Sequence, residues 1–284
     1  MKAYSSQNIL LVPGADETLR FVLKIMPSFI VSTSYEHYID ALCDAIGFPK
    51  ENAYCTKVDM DKYDLCEYEI KRLKEIREEI SEMPMIEIPE DAESFEALPA
   101  ETQHVVKRLD EIFWDVISNM KAGRMLREVN PIGGFEKANA VKEIVKKTES
   151  DLSKVIYFGD SITDVDPFRL IREGGGLTVS FNGNRYAIRE AEIAVMSHST
   201  IVISILTDLF RKIGKEGTLR LVEEWSTSSL EGICESSLLQ RLKTFSADKS
   251  PIVERIKPEN IDRLARESSA FRRTVRGEVI GRLG

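Results

Sequence analysis

The densest group of reactive side chains is Phe158-Gly-Asp160-Ser161-Ile-Thr163-Asp164-Val-Asp166. Asp160 and Asp164 stand four residues apart, just past the apolar run Lys154-Val-Ile-Tyr-Phe158. Two carboxylates held close repel unless a proton or a cation separates them. Mg²⁺ suits such a pair, because it takes oxygen ligands and bridges to phosphate oxygens. The chain has three histidines, His37, His104 and His198, which is too few for a histidine-rich metal centre, so carboxylates would have to hold any metal. A second reading makes Asp164 the cap of the next helix, its side chain accepting backbone N–H bonds. That reading leaves Asp160 unexplained.

The surrounding elements have to bring this loop to a ligand. A short apolar run ending in glycine and acidic residues reads as a buried parallel strand, and open α/β sheets bind ligands beyond the carboxyl ends of such strands. Residues 9–60 have the same texture. After Asn8-Ile-Leu-Leu-Val-Pro13-Gly14 the spacing of Leu19, Val22 and Leu23 predicts a helix over 16–26. A strand is expected at 28–32, a helix over 35–47 with Gly47 as its C-terminal cap, and an edge strand at 53–58. Residues 130–212 read as a helix over 135–147, strands at 154–158, 177–181 and 193–196, and a helix over 200–213. Between these halves, residues 61–129 read as a helical hairpin, with Val105, Leu109, Ile112, Phe113, Val116 and Ile117 on one stripe. Residues 213–284 read as a helical, polar extension ending in Arg272, Arg273, Arg276 and Arg282, which we read as a solvated helix face. Four segments therefore follow in order: 1–60 and 130–212 as two parts of one α/β core, 61–129 as an insert, and 213–284 as a tail.

The motifs and their order resemble the haloacid-dehalogenase-like (HAD) phosphatase superfamily, in its phosphoserine-phosphatase-like branch. Gly159-Asp160-Ser-Ile-Thr-Asp164 is similar to the acidic fourth motif, GDxxxD. Ser32, closing Phe29-Ile-Val31, matches the second-motif hydroxyl, and Lys137 matches the third-motif lysine. The stretches Phe181-Asn-Gly-Asn184 and Ala191-Glu-Ile-Ala194 follow the pattern after the fourth motif, and the insert occupies a slot where some members carry a cap. The resemblance implies a Rossmannoid parallel sheet flanked by helices and an Mg²⁺-dependent hydrolysis of a small phosphate monoester. It implies Ser32 and Lys137 as catalytic residues, Ser32, Thr33, Lys137 and Asn182 as phosphate ligands, and Asp160 and Asp164 as metal ligands. Lys137 would neutralise charge on the transferring phosphoryl group, whose three oxygens share it.

One motif is missing. The family's nucleophile is the first Asp of a DxD motif on the first strand, and none of the residues before Ile9 is Asp. Asp59-Met60-Asp61 has the letters but follows the second motif, and Asp164-Val-Asp166 lies inside the fourth. Without that carboxylate no covalent phospho-enzyme forms. Without its strand the sheet is expected to show two unpaired edges. The resemblance thus leaves three expectations: a start set too late, a separately encoded N-terminal piece, or a divergent non-catalytic member, such as a scaffold or complex subunit that meets a protein partner through the insert or tail.

A different chemistry competes for the same loop. Gly159-Asp-Ser161 also resembles the first block of GDSL esterases, with Ser161 as acyl nucleophile, but that needs a base placed as Asp-x-x-His. His198 has no Asp three residues before it, and no Gly-x-Asn-Asp block occurs. Composition narrows the partners. Lys and Arg number 39 against 47 Asp and Glu, a net charge of −8, which speaks against nucleic acid as the main ligand. No apolar run reaches the roughly 18 residues of a membrane span, and no signal peptide stands at the start. Cys43, Cys55, Cys66 and Cys234 have neither zinc-site nor disulfide-framework spacing, so reduced thiols in a cytoplasmic protein are expected.

Overall fold

A short helix α1 (Lys2–Gln7) precedes Pro13-Gly14, and Gly14 takes φ 80 at the head of α2 (Ala15–Ile25). That left-handed backbone suits a residue without Cβ. Strand β1 (Ile30–Tyr35), helix α3 (Glu36–Ile46) and strand β2 (Ala53–Thr56) follow. β1 and β2 pair in parallel, and a parallel pair needs a crossover, which α3 supplies. Gly47 ends α3 at φ 69, the cap expected of it. Ile39, Cys43, Ile46, Phe48 and Cys55 form the core of this βαβ unit, with Leu19 and Leu23 of α2 laid against it. The computed structural model describes residues 2–7, 9–86, 88, 89, 92, 94–245 and 250–277. Asn8 and Arg282, both singled out in the sequence, lie outside them.

The chain divides into two units, Met1–Thr56 with Pro131–Gly284, and Lys57–Asn130. The second unit corresponds to the helical insert. It contains α4 (Glu67–Glu82), α5 (Ala100–Asp110) and α6 (Gly123–Glu128) around Ile76, Ile112 and Ile117. The single helix expected over 102–121 is interrupted: α5 passes into a π turn at Glu111–Val116 and a 3₁₀ turn at Ile117–Asn119. Asp59, the first letter of the DxD-like triplet, accepts the N–H of Asp61 at 3.1 Å and so caps a local turn.

Past the insert come α7 (Gly134–Lys147), β3 (Ile156–Gly159), α8 (Val165–Glu173), β4 (Leu177–Phe181), α9 (Arg185–Glu190) and β5 (Ile193–Met196). Helix α10 (Ile201–Glu223) runs ten residues beyond the expected end, through a kink at Gly214, where φ is 65. The tail holds α11 (Thr227–Leu230), α12 (Ser236–Phe245), β6 (Ile252–Arg255) and α13 (Ile261–Arg276). Its strand β6 was not expected; it pairs antiparallel with β5 and adds Val253 to the main core. That core lies between the sheet and α10, with Leu177, Val179, Ile193 and Val195 against Val202, Ile205, Leu206 and Leu209. The fold is thus the expected α/β class, with parallel strands flanked by helices. The four cysteines are free thiols, and three of them are buried.

The strands make two sheets, β1-β2 and β3-β4-β5-β6. β1 is paired along one edge, by β2, and β3 along one edge, by β4. Burial follows pairing: β4 and β5 are buried almost throughout, whereas Ile156, Tyr157 and Phe158 of β3 are half-buried. An apolar run that reads as a buried parallel strand therefore stands at a sheet edge. Helices join the two sheets. α7 packs against both β1 and α8, and Thr18 of α2 meets Thr200 and Ser204, at the start of α10, through side-chain hydroxyls at 2.9 and 3.2 Å.

Candidate active site

Strand β3 ends at Gly159, and the chain turns so tightly that Asp164 folds back under it. A Cβ on Gly159 would lie 2.6 Å from Cβ and Cγ of Asp164 and 2.9 Å from Phe168, so glycine is required here. Asp164 is 2% exposed and its carboxylate is fully engaged. Oδ1 accepts from Lys137 Nζ at 2.8 Å and from the Tyr157 hydroxyl at 2.9 Å. Oδ2 accepts the backbone N–H groups of Asp160 and Ser161 at 2.9 and 3.1 Å. Ser161 and Asp164 form a reciprocal capping box. The helix-cap reading therefore fails as stated: Asp164 precedes α8 (Val165–Glu173) without a side-chain cap bond to it, and accepts the upstream N–H groups of Asp160 and Ser161 instead.

Lys137 comes from the first turn of α7 and is 6% exposed. Gly134 opens this helix at φ 34, and a Cβ there would meet Asp166 Oδ2 at 2.9 Å. Burial by itself pushes the Asp164 carboxyl up. The Lys137 charge and hydrogen bond, the Asp160 N–H and the Tyr157 hydroxyl outweigh it and hold the group below the usual carboxylate range. Burial, followed by the adjacent Asp164 charge, pushes the Tyr157 phenol well above its ordinary value, so it stays a protonated donor.

This fixes a sign for acid stability. A carboxyl depressed in the fold contributes stability that is complete above its unfolded value, about 3.9, and is lost as pH falls through the lower folded value. Urea unfolding free energies should therefore fall below about pH 4, and Asp164→Asn should flatten that limb. Acid limbs of equal slope in the two proteins would contradict the ionised state of Asp164.

Asp160 faces a different set of partners. Its carboxylate accepts from Arg272 and Arg276, both on α13. Asn182 sits in the left-handed region at φ 50, and its amide is tied to the Ser197 backbone in both directions, at 2.8 and 2.9 Å. Ser32 accepts the Ser34 N–H at 3.1 Å. The Thr33 carbonyl accepts from Thr56, whose hydroxyl accepts the Ile132 N–H just before α7. Lys137, Asp160 and Asp164 thus share one network. Asn182 joins it through its carbonyl, which accepts from Arg272; the bonds described for Ser32 and Thr33 run to Ser34 and, through Thr56, to Ile132, and not into that network.

A sequence model for haloacid dehalogenase-like hydrolases matches residues 24–205. The chain belongs to this family. No curated protein matches it. Among solved structures, gene product AF1437 from Archaeoglobus fulgidus is similar in fold, with a TM-score of 0.73 at 20% identity, over 100% of this chain and 75% of that one.

Within this haloacid dehalogenase-like chain, sequence reasoning missed Tyr157 and the two arginines. Tyr157 was read only as part of a strand. Arg272 was assigned to a solvated face, yet it is 3% exposed. The signal that could have found it is the apolar stripe of α13: Leu264, Ala265, Ser268 and Arg272 recur at helical spacing on the buried side. The esterase reading loses its nucleophile, because the Ser161 hydroxyl is held by Thr163 at 2.9 Å and by Asp164 at 3.3 Å. His198 lies against the Phe271 ring, centroids 4.8 Å apart.

The residues in this arrangement do not fit a resident Mg²⁺. Asp164 is surrounded by five donors, Asp160 by two guanidinium groups, and no cluster of three or more His, Cys, Asp or Glu residues suited to a metal occurs among the described residues. Mg²⁺ asks for several oxygens in octahedral array, not for carboxylates already saturated by N–H and O–H donors. No helix among the described residues is long and apolar enough to cross a membrane.

Proposed function

We propose that this chain is the phosphate-binding core of a phosphoserine-phosphatase-like hydrolase of small phosphate monoesters, with little turnover by itself. The supporting observation is the buried ammonium of Lys137, fixed 2.8 Å from Asp164 at the carboxyl end of β3. An ammonium carries three N–H donors, and the bond to Asp164 uses one of them. A cation already oriented in a dry site stabilises phosphoryl charge without reorganising. Ser32 and Thr33, at the end of β1, are the hydroxyl donors this reading assigns to the same phosphate. Low turnover follows from the carboxylates at this end of β3. Asp160 and Asp164 are both held by donors, so neither acts as the nucleophile that a phospho-enzyme requires.

The test uses the full chain, inorganic phosphate and p-nitrophenyl phosphate. Saturating phosphate should raise the thermal midpoint by a few degrees, roughly 2–4 °C per kcal/mol of binding for a domain of this size. Hydrolysis of p-nitrophenyl phosphate should stay near background. A midpoint indifferent to phosphate would remove the reading. Brisk Mg²⁺-dependent turnover abolished by Asp160→Ala would show that the chain does carry a nucleophile and overturn the expected low activity.

A further inference from the structure

Helix α13 lies outside the stretch that the family model matches, and it carries two cations to Asp160. One nitrogen of Arg272, Nη1, donates to three oxygens: the Asp160 carbonyl at 3.0 Å, the Asp160 carboxylate, and the Asn182 carbonyl at 3.3 Å. Arg276 donates to the same carboxylate oxygen, Oδ2. The Asp160 carbonyl also accepts the Asn184 N–H at 2.9 Å. These oxygens belong to the loops that follow β3 and β4, at the carboxyl ends of adjacent parallel strands. A carboxylate and two carbonyls converging on one point is the kind of oxygen set that hard divalent cations use. Here the point is occupied by a guanidinium nitrogen, and two guanidinium groups carry the same formal charge as one divalent ion.

The placement of α13 is built in. Ser268 is fully buried and donates to the Gly183 carbonyl at 2.6 Å, in the same loop as Asn182. Leu264 and Ala265 pack on Ile188, Ala194 and Met196, with Phe271 at the edge of the cluster. The helix cannot turn its arginines away without breaking that packing.

We infer that Arg272 and Arg276 are the resident cation of this site, filling an oxygen cradle on Asp160 and Asn182 that would otherwise take a divalent metal. The inference rests on α13 and stands apart from the reading of the reaction. Arg272 supplies the buried bonds. Arg276, 39% exposed at its side chain, completes the charge. Mg–O distances of about 2.0–2.1 Å and Ca–O distances of about 2.3–2.6 Å are shorter than the 3.0 and 3.3 Å from Arg272 Nη1 to the two carbonyls, so a metal would have to compete with α13's arginines for the cradle and draw the loops in.

The test is binding of Mg²⁺ and Ca²⁺ alone to the full chain, by calorimetry and by thermal unfolding. The native chain should show no saturable uptake and no shift of its midpoint. Arg276→Ala, which leaves the Arg272 packing intact, should bind either ion about tenfold more tightly or better, since ligand charge tunes such sites over decades. In Arg272→Met combined with Arg276→Met, the midpoint should drop and be restored by Mg²⁺ or Ca²⁺ but not by Na⁺ at equal ionic strength. Metal binding to the native chain as tight as to Arg276→Ala would overturn the inference. So would an Arg276→Ala chain with no gain, or a double variant that neither ion restores.

Discussion

Lys137→Met should lower the unfolding free energy by about 3–5 kcal/mol, the range for removing one partner of a buried ion pair. Methionine keeps most of the side-chain volume, so the loss reads the charge and not a cavity. The cause is Asp164. With the ammonium gone, a carboxylate 2% exposed keeps the hydroxyls of Tyr157 and Ser161 and the backbone N–H groups of Asp160 and Ser161, but no cation. It then takes up a proton to escape the burial penalty. Urea unfolding at neutral pH measures the loss, and Lys137→Met with Asp164→Asn tests its origin. If the pair interacts as the 2.8 Å bond implies, the double variant should be destabilised by less than the sum of the singles. Strict additivity would place the two groups in separate environments.

The second large effect lies directly beneath the first. Phe168 is fully buried, and its ring meets Tyr157 edge-on, centroids 5.6 Å apart and planes at 87°. Phe168→Ala should cost about 3–5 kcal/mol from lost burial and an unfilled cavity. Phe168→Leu should cost less, on the order of 1 kcal/mol, because it keeps most of the volume. The two variants also separate packing from positioning. The alanine variant removes the wall that holds the Tyr157 ring, and so loosens the hydroxyl that donates to Asp164. Thermal unfolding ranks them, and equal midpoints for the alanine and leucine variants would mean that this ring does not support the site.

Much of this was legible in local sequence. The strand at 193–196 carries a continuous apolar run because both faces are covered, and such a run announces itself. The cap at Gly47 and the turn at Gly159-Asp160 are short-range chemistry, and both appear as read. What failed to show was long-range. Four residues, Ile252–Arg255, look like a polar segment because they sit at a sheet margin with one face covered, so β6 was missed. Arg272 has the composition of a surface residue. Its burial depends on carbonyls at Asp160 and Asn182, 112 and 90 residues upstream, which no local pattern encodes. Lys137 and Asp164, by contrast, were expected in one site, though as phosphate and metal ligands and not as partners in a pair.

The division of the sheet also sets how the molecule breathes. β1 and β2 share a backbone ladder with each other, not with β3–β6, and meet that sheet through helix contacts. Side-chain packing yields in smaller steps than a continuous ladder, so this flap can detach while the four-stranded half stays folded. Amide protons of Ile30–Ser32 would then exchange through a sub-global opening, at rates set apart from those of Val179 and Ala194. Every such excursion would part the Ser32 end of β1 from Lys137, so the phosphate binding proposed above would depend on the weaker half of the fold.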